Sequence, residues 1–520
     1  PLSAEALDLS WVGTGSSWID PTNWNSNPDL PAGGDNPLIN QPGAAVTFDS
    51  IAGLTYGQME LGAAGTAIFN QPANDLKVVG LIAGQSYGEN AVFNLYGGSF
   101  TAGAIAGGSN SGGVLLGLAG DATFNHINGT ANIEGIAIAE QGGNATYSFI
   151  DGVLNTDRVY VGGFEGSSGA ALFQQIGGTH TNSQWIGIGR DSTREALYDM
   201  QGGTLNSAAV DIGYVYDADN PGGLGRFEQS GGTHTVASDL ILGRDFGASG
   251  VYNLSGSGSV LTVSGDEWVG KVGWGTFNQL AGIHKVNGSL HVDMAVASKG
   301  VFNLHGGTLD VSGNTFVGHS AGASGDFYHD GGVHTVTGNL VLGIPAGATG
   351  NYTLGGTGSL IVHGSTVIGD SGTGSFTQNG GSFEQAGIDT LFMVGGSKGA
   401  SGTVTLNGGT FRILGNEEKI GGHGTGYFYQ YGGDHQFAGG MYVGDYGYGE
   451  YHMLGGNLGP VLDSGGLPIG YSGIVMGEWG ATGKFFHGGG KVDVDSITLA
   501  RQPGSDGYYE MNGAAAVLHA

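Results

Sequence analysis

Cysteine is absent from this chain, which removes disulfides and thiolate metal sites at once. Proline is scarce, 12 in 520 residues, so neither a collagen helix nor a proline-rich disordered chain fits. Basic residues are few: 15 Lys and Arg stand against 44 Asp and Glu, a formal charge of −29. A field of that sign repels DNA, RNA and anionic lipid, and no nucleic-acid partner is expected. No apolar run approaches the roughly 18 residues that a membrane helix requires, so no membrane insertion is expected. Sustained helical periodicity is also missing.

Glycine is what the chain has in excess. It supplies 110 residues, about three times ordinary usage. Apolar residues reach 39%, enough to build a core, so order rather than disorder is expected. The chain starts at Pro1 rather than Met, which reads as an exported protein after removal of a signal peptide. A secreted, extracellular or cell-surface location follows as the expectation.

The glycines recur in register. An aromatic residue is followed at +4 and +5 by glycines through most of the chain. It starts at Phe69, Phe93, Phe124, Tyr147, Phe173, Tyr198, Phe227, Tyr252, Phe277, Phe302, Phe327, Tyr352, Phe376, Phe428, Tyr451, Phe485 and Tyr509, and Val404 fills one further slot. One unit, Phe302 to Gly318, reads FNLHGGTLDVSGNTFVG. Alternation within it has period 2, giving about three short strands per unit with glycine corners between them. A unit near 25 residues is too short for a propeller blade of about 40 residues and suits one coil of a parallel β-solenoid. The expected fold is all-β: one elongated parallel β-helix of 18 to 19 coils, on the order of 90 Å long at about 4.8 Å per coil. Residues 46–520 form the solenoid in this reading, and residues 1–45 form an arm and a tryptophan-rich cap.

Successive coils are not equivalent. At +2 one set carries Gln71, His126, Gln175, Gln229, Gln279, His329, Gln378, Gln430 and His487, and the other carries Leu95, Phe149, Met200, Leu254, Leu304, Leu354, Leu406, Met453 and Met511. At +7 the first set has His180, His234, His284, His334 and His435, where the second has Leu or Phe. The true period is therefore two coils, about 50 residues. Positions occupied by Phe and Leu in one set must point inward, so Gln229, His234, Gln279, His284, His329, His334, Gln430 and His435 point inward as well. Buried amides and imidazoles need partners, and each other or corner carbonyls are the expected ones. Equivalent histidines two coils apart would stand roughly 10 Å apart, too far to share a metal ion.

Trp11, Trp18 and Trp24 lie in a segment, WVGTGSSWIDPTNWNSNPDLPAGGDNP, that departs from the repeat. Its spacing of tryptophans, the Pro/Gly/Asp stretch and the Gly-Gly coils behind it resemble the autotransporter-associated β-strand repeat proteins and PEP-CTERM-type bacterial surface proteins. That resemblance implies a secreted or surface-attached right-handed β-helix, of a kind usually without an enzymatic assignment. It is incomplete, because neither a translocator barrel nor a sorting tail accompanies these coils. The segment Tyr509–Ala520 is an ordinary half-coil with no amphipathic cap after it. An uncovered solenoid end invites strand stacking. Trp11, Trp18, Trp24, Tyr509, Met511, Val517 and Leu518 are therefore the expected assembly interface of a homopolymer that grows end to end into a fibre, sheath or surface layer.

Two other readings stay open. Tyr427, Tyr429 and Tyr431 alternate with inward residues and so face outward, as glycan-stacking or lateral contacts would. They make the chain a candidate cell-surface adhesin with extracellular polysaccharide as a partner. A polysaccharide lyase or hydrolase would need a convergent acid–base cluster, for which Asp191 to Glu195, Tyr214 to Asn220 and Glu417 to Lys419 are the repeat-breaking candidates. The two longest insertions, near 103–123 and 459–472, are nearly free of acids and bases, so no enzyme, no catalytic residue and no organic cofactor are expected. Asp217 and Asp219 share one loop and are the carboxylates that would hold a calcium ion.

Overall fold

The computed structural model describes residues 6–50, 53–103, 113–163, 169–191, 194–215, 222–296 and 298–520. The chain is all-β, a parallel β-solenoid of about 19 turns with about 25 residues in each. Among the described residues the helical content is a single 3-10 turn, Pro21–Asn23, and no helix is long and apolar enough to cross a membrane. The chain divides into two compact units, residues 1–261 and 262–520.

One coil shows why these residues make these elements. Lys299–Leu304 forms the first strand, with Phe302 and Leu304 turned inward. The Gly306-Gly307 corner follows, where Gly307 holds a φ of +79° that residues with a Cβ disfavour. Thr308–Val311 forms the second strand and turns Leu309 and Val311 inward. The third strand is only Thr315–Val317, with Phe316 as its single outward residue. Gly318 then closes the coil at φ +70°. Each strand pairs in parallel with its counterpart in the next coil, so three sheets, here I, II and III, run side by side.

In the unit of residues 1–261, the first-sheet strands run from Ala45–Thr47 to Ser249–Leu254. Several of its coils run straight through the corner between sheets II and III, among them those of Leu76–Ala83, Thr130–Ile138, Val153–Val161 and Thr179–Arg190. The boundary expected at residue 45 falls inside a strand, and the sheet starts earlier. Asp8–Ser10 pairs with Asn36–Ile39, which pairs with Thr55–Leu61. In the unit of residues 262–520, the first-sheet strands run from Trp274–Gln279 to Asp506–Met511.

The core is a column of rings. Phe173, Tyr198 and Phe227 stack at centroid separations of 4.5 and 4.7 Å and within 10° of parallel. Phe277 and Phe302 stack at 4.8 Å and 2°. The strand spacing of a sheet, about 4.8 Å, therefore sets the ring spacing directly. Full burial of each such ring contributes about 2 kcal/mol by transfer from water. Val404 interrupts the column, and phenylalanines from the neighbouring strands fill the space: Phe383 lies 4.7 Å from Phe411, and Phe392 lies 5.3 Å from it.

Two further devices hold the coils close. Gly300 is buried where its coil passes the end of the third strand before it, and a Cβ there would stand 2.2 Å from the Val269 carbonyl oxygen. On the outer face, the Asn94 amide donates to Asn70 at 2.9 Å and that of Asn125 donates to Asn94 at 2.8 Å. An amide ladder of this kind links coils without adding charge to an acidic surface.

Candidate functional site

The side chains of the repeat that carry hydrogen-bonding chemistry converge in the interior. Gln71, Gln175, Gln229, Gln279, Gln378 and Gln430, with His180, His234, His284, His334 and His435, are fully buried. Their partners define a network that spans neighbouring coils. The Gln229 amide nitrogen donates to the carbonyls of Gly232 and Val260, both at 3.1 Å. Its oxygen accepts from the Tyr252 hydroxyl of the following coil at 2.7 Å. His234 Nδ1 meets that same hydroxyl at 3.1 Å, and its Nε2 meets Ser207 Oγ, in the preceding coil, at 3.0 Å.

Donor and acceptor roles follow from counting protons. The Tyr252 proton goes to Gln229, so the hydroxyl oxygen accepts from His234 Nδ1–H. His234 Nε2 is then the acceptor for the Ser207 hydroxyl. Gln175, His180, Tyr198 and Thr156 repeat the arrangement, with Tyr198 to Gln175 at 2.9 Å and His180 to Thr156 at 2.9 Å. Gln430, His435 and Tyr451 repeat the tyrosine end of the arrangement, while at the other end a carboxylate, Glu418, stands 3.0 Å from His435 Nε2 where the serine stood.

The interchange of Gln and His at +2 has the same origin. His329 Nε2 lies 3.2 Å from the Gly332 carbonyl, to which only an N–H can donate, so Nδ1 accepts from Tyr352 at 2.9 Å. His126 and His487 do the same with Gly129 and Tyr147, and with Gly490 and Tyr509. An imidazole in this tautomer offers one donor and one acceptor where glutamine offers its amide. The partner missed by the sequence pattern is the tyrosine. Six of the nine coils that follow a Gln or His coil carry a tyrosine at the aromatic position, Tyr147, Tyr198, Tyr252, Tyr352, Tyr451 and Tyr509, and the other three carry Phe93, Phe302 and Val404. The Gln and His coils themselves carry phenylalanine at that position.

Where the following coil lacks the hydroxyl, the network has an open position. Gln71 Oε1 precedes Phe93, Gln279 Oε1 and His284 Nδ1 precede Phe302, and Gln378 Oε1 precedes Val404, and all four atoms are buried without a partner. His284 retains Nε2, 2.7 Å from Glu267 with both side chains fully buried. Burial pushes the histidines down: His180 and His234 to about 3, His126 and His329 to about 4, and His334 well below its ordinary range. The same burial raises Tyr147, Tyr198, Tyr352 and Tyr451 well above theirs.

The three tryptophans are not a surface. Trp11, Trp18 and Trp24 are each 1% exposed. Trp18 packs edge-on to Trp24 at 4.8 Å, to Phe48 at 5.3 Å and to Phe69 at 5.9 Å. Trp24 Nε1 donates to the Trp18 carbonyl at 2.9 Å. These rings plug the core of the first coils, so burial withdraws them from the assembly interface expected of them. The other residues of that expected interface lie in the coil of residues 496–519. Met511 and Val517 are each 46% exposed, Leu518 is half-buried, and Tyr509 binds His487 at 2.8 Å.

Tyr427 and Tyr429 are half-buried on the outer face and Tyr431 is exposed. Tyr429, His452 and Phe486 stack at 4.9 and 4.7 Å. A pyranose stacks on the face of a ring. In this ladder the rings occupy one another's faces and offer solvent their edges, which weakens the glycan reading of Tyr429.

The charged groups described in two of the repeat-breaking clusters are held in ion pairs. Glu195 pairs with Arg226 at 3.0 Å beside an open groove of about 630 Å³ that Asp121, Asn144 and Arg194 also line. Glu417 and Asp445 hold Lys419 at 3.0 and 2.9 Å. Asp191 is buried near the Arg190–Glu140 pair, which measures 2.8 Å. Asp217 and Asp219 lie outside the described residues. Among the described residues no group of three or more His, Asp or Glu side chains could hold a metal ion.

Comparison with family models, with curated proteins and with solved structures finds no match for this chain. The resemblance to autotransporter-associated and PEP-CTERM-type proteins rests on the sequence pattern alone.

Proposed function

We propose that this chain is an exported structural protein whose coils build an extracellular fibre, sheath or surface layer by end-to-end strand stacking. The observation that carries the reading is the direction of the repeat's own chemistry. Its regularly spaced Gln, His and Tyr side chains turn inward and bond one coil to the next. A repeat used for recognition or catalysis would present such groups outward. Here they specify stacking. The acidic exterior limits sideways aggregation.

The strands Asp506–Met511 and Ala516–His519 are paired on one side, to Thr482–His487 and Gly490–Asp493. Their other edges offer backbone donors and acceptors to whatever coil stacks on them, whether of the same chain or of a second copy. Electron microscopy and fibre diffraction of the purified protein in dilute neutral buffer test the proposal. Filaments with a reflection near 4.8 Å along their axis are expected. Dispersed particles that stay separate at all concentrations would sink it.

A further inference from the structure

The chain holds five Asn-Gly pairs, at Asn128, Asn287, Asn379, Asn407 and Asn512, and all five asparagines are exposed. An asparagine side chain is open to attack by the backbone nitrogen of the residue after it, and glycine, with no side chain, hinders that approach least. Ring closure needs a backbone N–H outside the ladder and a side chain turned back toward it. Both conditions meet at the corner after His126. Asn128 Oδ1 accepts from the Gly129 N–H at 2.7 Å, and that N–H has no other acceptor among the described residues. A nitrogen bonded to Oδ1 in this way stands about 3–3.5 Å from Cγ, the separation of a near-attack arrangement. The other four pairs are engaged elsewhere. Gly288 N–H is bonded to the Gly265 carbonyl at 3.0 Å. Asn407 Nδ2 donates to Asn379 Oδ1 at 2.8 Å, which engages both side chains between coils. Asn512 Nδ2 donates to Glu510 at 2.9 Å.

We propose that Asn128 is a site of self-modification, at which the Gly129 nitrogen attacks Asn128 Cγ and the residue passes through a cyclic succinimide to aspartate and isoaspartate. The new C–N bond forms as the Gly129 amide proton leaves to solvent and Cγ releases its own amide nitrogen as ammonia. Water then opens the ring. Attack at one carbonyl gives aspartate; attack at the other leaves the main chain running through the side chain, as isoaspartate. The corner makes the second product disruptive. The Gly129 carbonyl accepts from Val153 N–H at 2.9 Å and lies 3.3 Å from His126 Nε2. A Cβ at Gly129 would stand 2.7 Å from the Gly98 carbonyl oxygen, so the corner has little spare room. Isoaspartate adds a methylene to the main chain just ahead of that carbonyl and displaces it. Either product also puts a carboxylate where Asp151 holds the same corner position in the next coil, two residues before the paired Thr130 and Val153. Asp151 Oδ1 accepts from Gly152 N–H at 2.8 Å in the same arrangement. It reacts more slowly, because a carboxylate resists a nucleophile.

The test holds the full chain in mildly alkaline buffer and follows it over weeks by peptide mapping and mass spectrometry, with isoaspartate read by enzymatic methylation. In the folded protein Asn128 should convert roughly tenfold faster than any of the other four, or faster still. In concentrated urea, where the corner is lost, the five rates should converge. Asn379→Ser releases Asn407 and should raise conversion there while Asn128 keeps its rate. Asn128→Gln, whose longer side chain closes a ring poorly, should fold normally and stay unmodified. As isoaspartate accumulates at residue 128, hydrogen exchange at Val153 should quicken in the parent and stay constant in Asn128→Gln. Conversion at Asn128 no faster than at Asn287 in the folded protein would overturn the proposal. So would a lead for Asn128 that persists undiminished in urea, since local sequence and not the corner would then set the rate.

Discussion

The open positions in the internal network make a reciprocal prediction. Tyr252→Phe removes one hydroxyl that donates to Gln229 Oε1 at 2.7 Å and accepts from His234 at 3.1 Å. Two buried polar atoms lose a partner, and the expected cost is about 2–6 kcal/mol at roughly 1–3 kcal/mol for each. Phe302→Tyr runs the other way. The His284 and Phe302 rings lie 6.2 Å apart at 12°, and the His234 and Tyr252 rings lie 6.3 Å apart at 12°. The new hydroxyl therefore arrives where Gln279 Oε1 and His284 Nδ1 wait without partners, and a gain of about 1–2 kcal/mol is expected from satisfying this position.

Stability in a stacked repeat is a sum of nearest-neighbour terms. The effect should accordingly be local, and hydrogen exchange followed by mass spectrometry reads it coil by coil. Phe302→Tyr should slow exchange by roughly tenfold, the equivalent of about 1.4 kcal/mol, across residues 274–311. Tyr252→Phe should speed it across residues 224–261. The control is Phe302→Tyr combined with Gln279→Met and His284→Leu, where the gain must vanish. If Phe302→Tyr destabilises the parent and the triple variant alike, ring packing outweighs hydrogen bonding here and the reasoning is wrong.

Other expectations follow from the same geometry. His329→Gln should change stability by less than about 1 kcal/mol, because the amide reproduces both bonds, to Gly332 and Tyr352; His329→Leu should cost about 2 kcal/mol, and equal effects in thermal melts would refute the isosteric argument. Histidines whose folded values are depressed to about 3 or 4 bind a proton in the unfolded chain first, near 6.5. Stability is therefore complete above about pH 6.5 and falls as pH drops toward 4, with each histidine approaching about 1.4 kcal/mol per pH unit. Denaturant titrations at pH 7, 6 and 5 check the sign, and a stability that rose on acidification would contradict it. Trp18→Ala empties the space between Trp24, Phe48, Tyr56 and Phe69 and should cost about 3–5 kcal/mol, seen as protease cleavage confined to residues 6–71.

The columns Phe227, Phe277 and Phe327 and the glycine corners between them make the coil legible in the sequence, because inward positions in a strand repeat at two and the corner glycines repeat with the coil. The inward direction of Gln229 and His234 follows from the leucines that replace them one coil away. Their chief partner is harder to read. Tyr252 and Phe227 are one class in a hydrophobic pattern, and the distinction between them acts on residues 18 to 23 positions earlier. Glu267 and Glu418 are obscured differently. Glu267 begins a strand of three residues and Glu418 is second in one of four, both too short to show an alternation, and so they look like corner carboxylates rather than buried partners of His284 and His435. The tryptophans mislead because their spacing marks the end of a core without saying which way the rings point.

The two-coil period also answers a problem that uniform coils create. A solenoid in which every coil carried Phe, Leu and Val at the same positions would pack almost as well if one segment slipped by a whole coil, since each strand would find an equivalent neighbour. A sheet with a buried face resists a one-residue slip because side chains would change sides; a slip by an entire coil leaves sides unchanged and meets no such penalty. Alternation supplies it. A one-coil slip would set Gln229 and His234 against phenylalanine instead of Tyr252, and every Gln/His–Tyr pair crossing the slip would lose its hydroxyl at about 1–3 kcal/mol per stranded group. Correct register can return only after two coils, about 50 residues, a far larger displacement of chain. The buried polar side chains thus act as a polar residue at the core of a coiled coil does, giving up some stability to exclude alternative registers. On this argument Phe93, Phe302 and Val404 mark the places where the lock is weakest. Slipped or swapped forms of the protein should part at residues 71–95, 279–304 and 378–406 before they part anywhere between Gln229 and Tyr252.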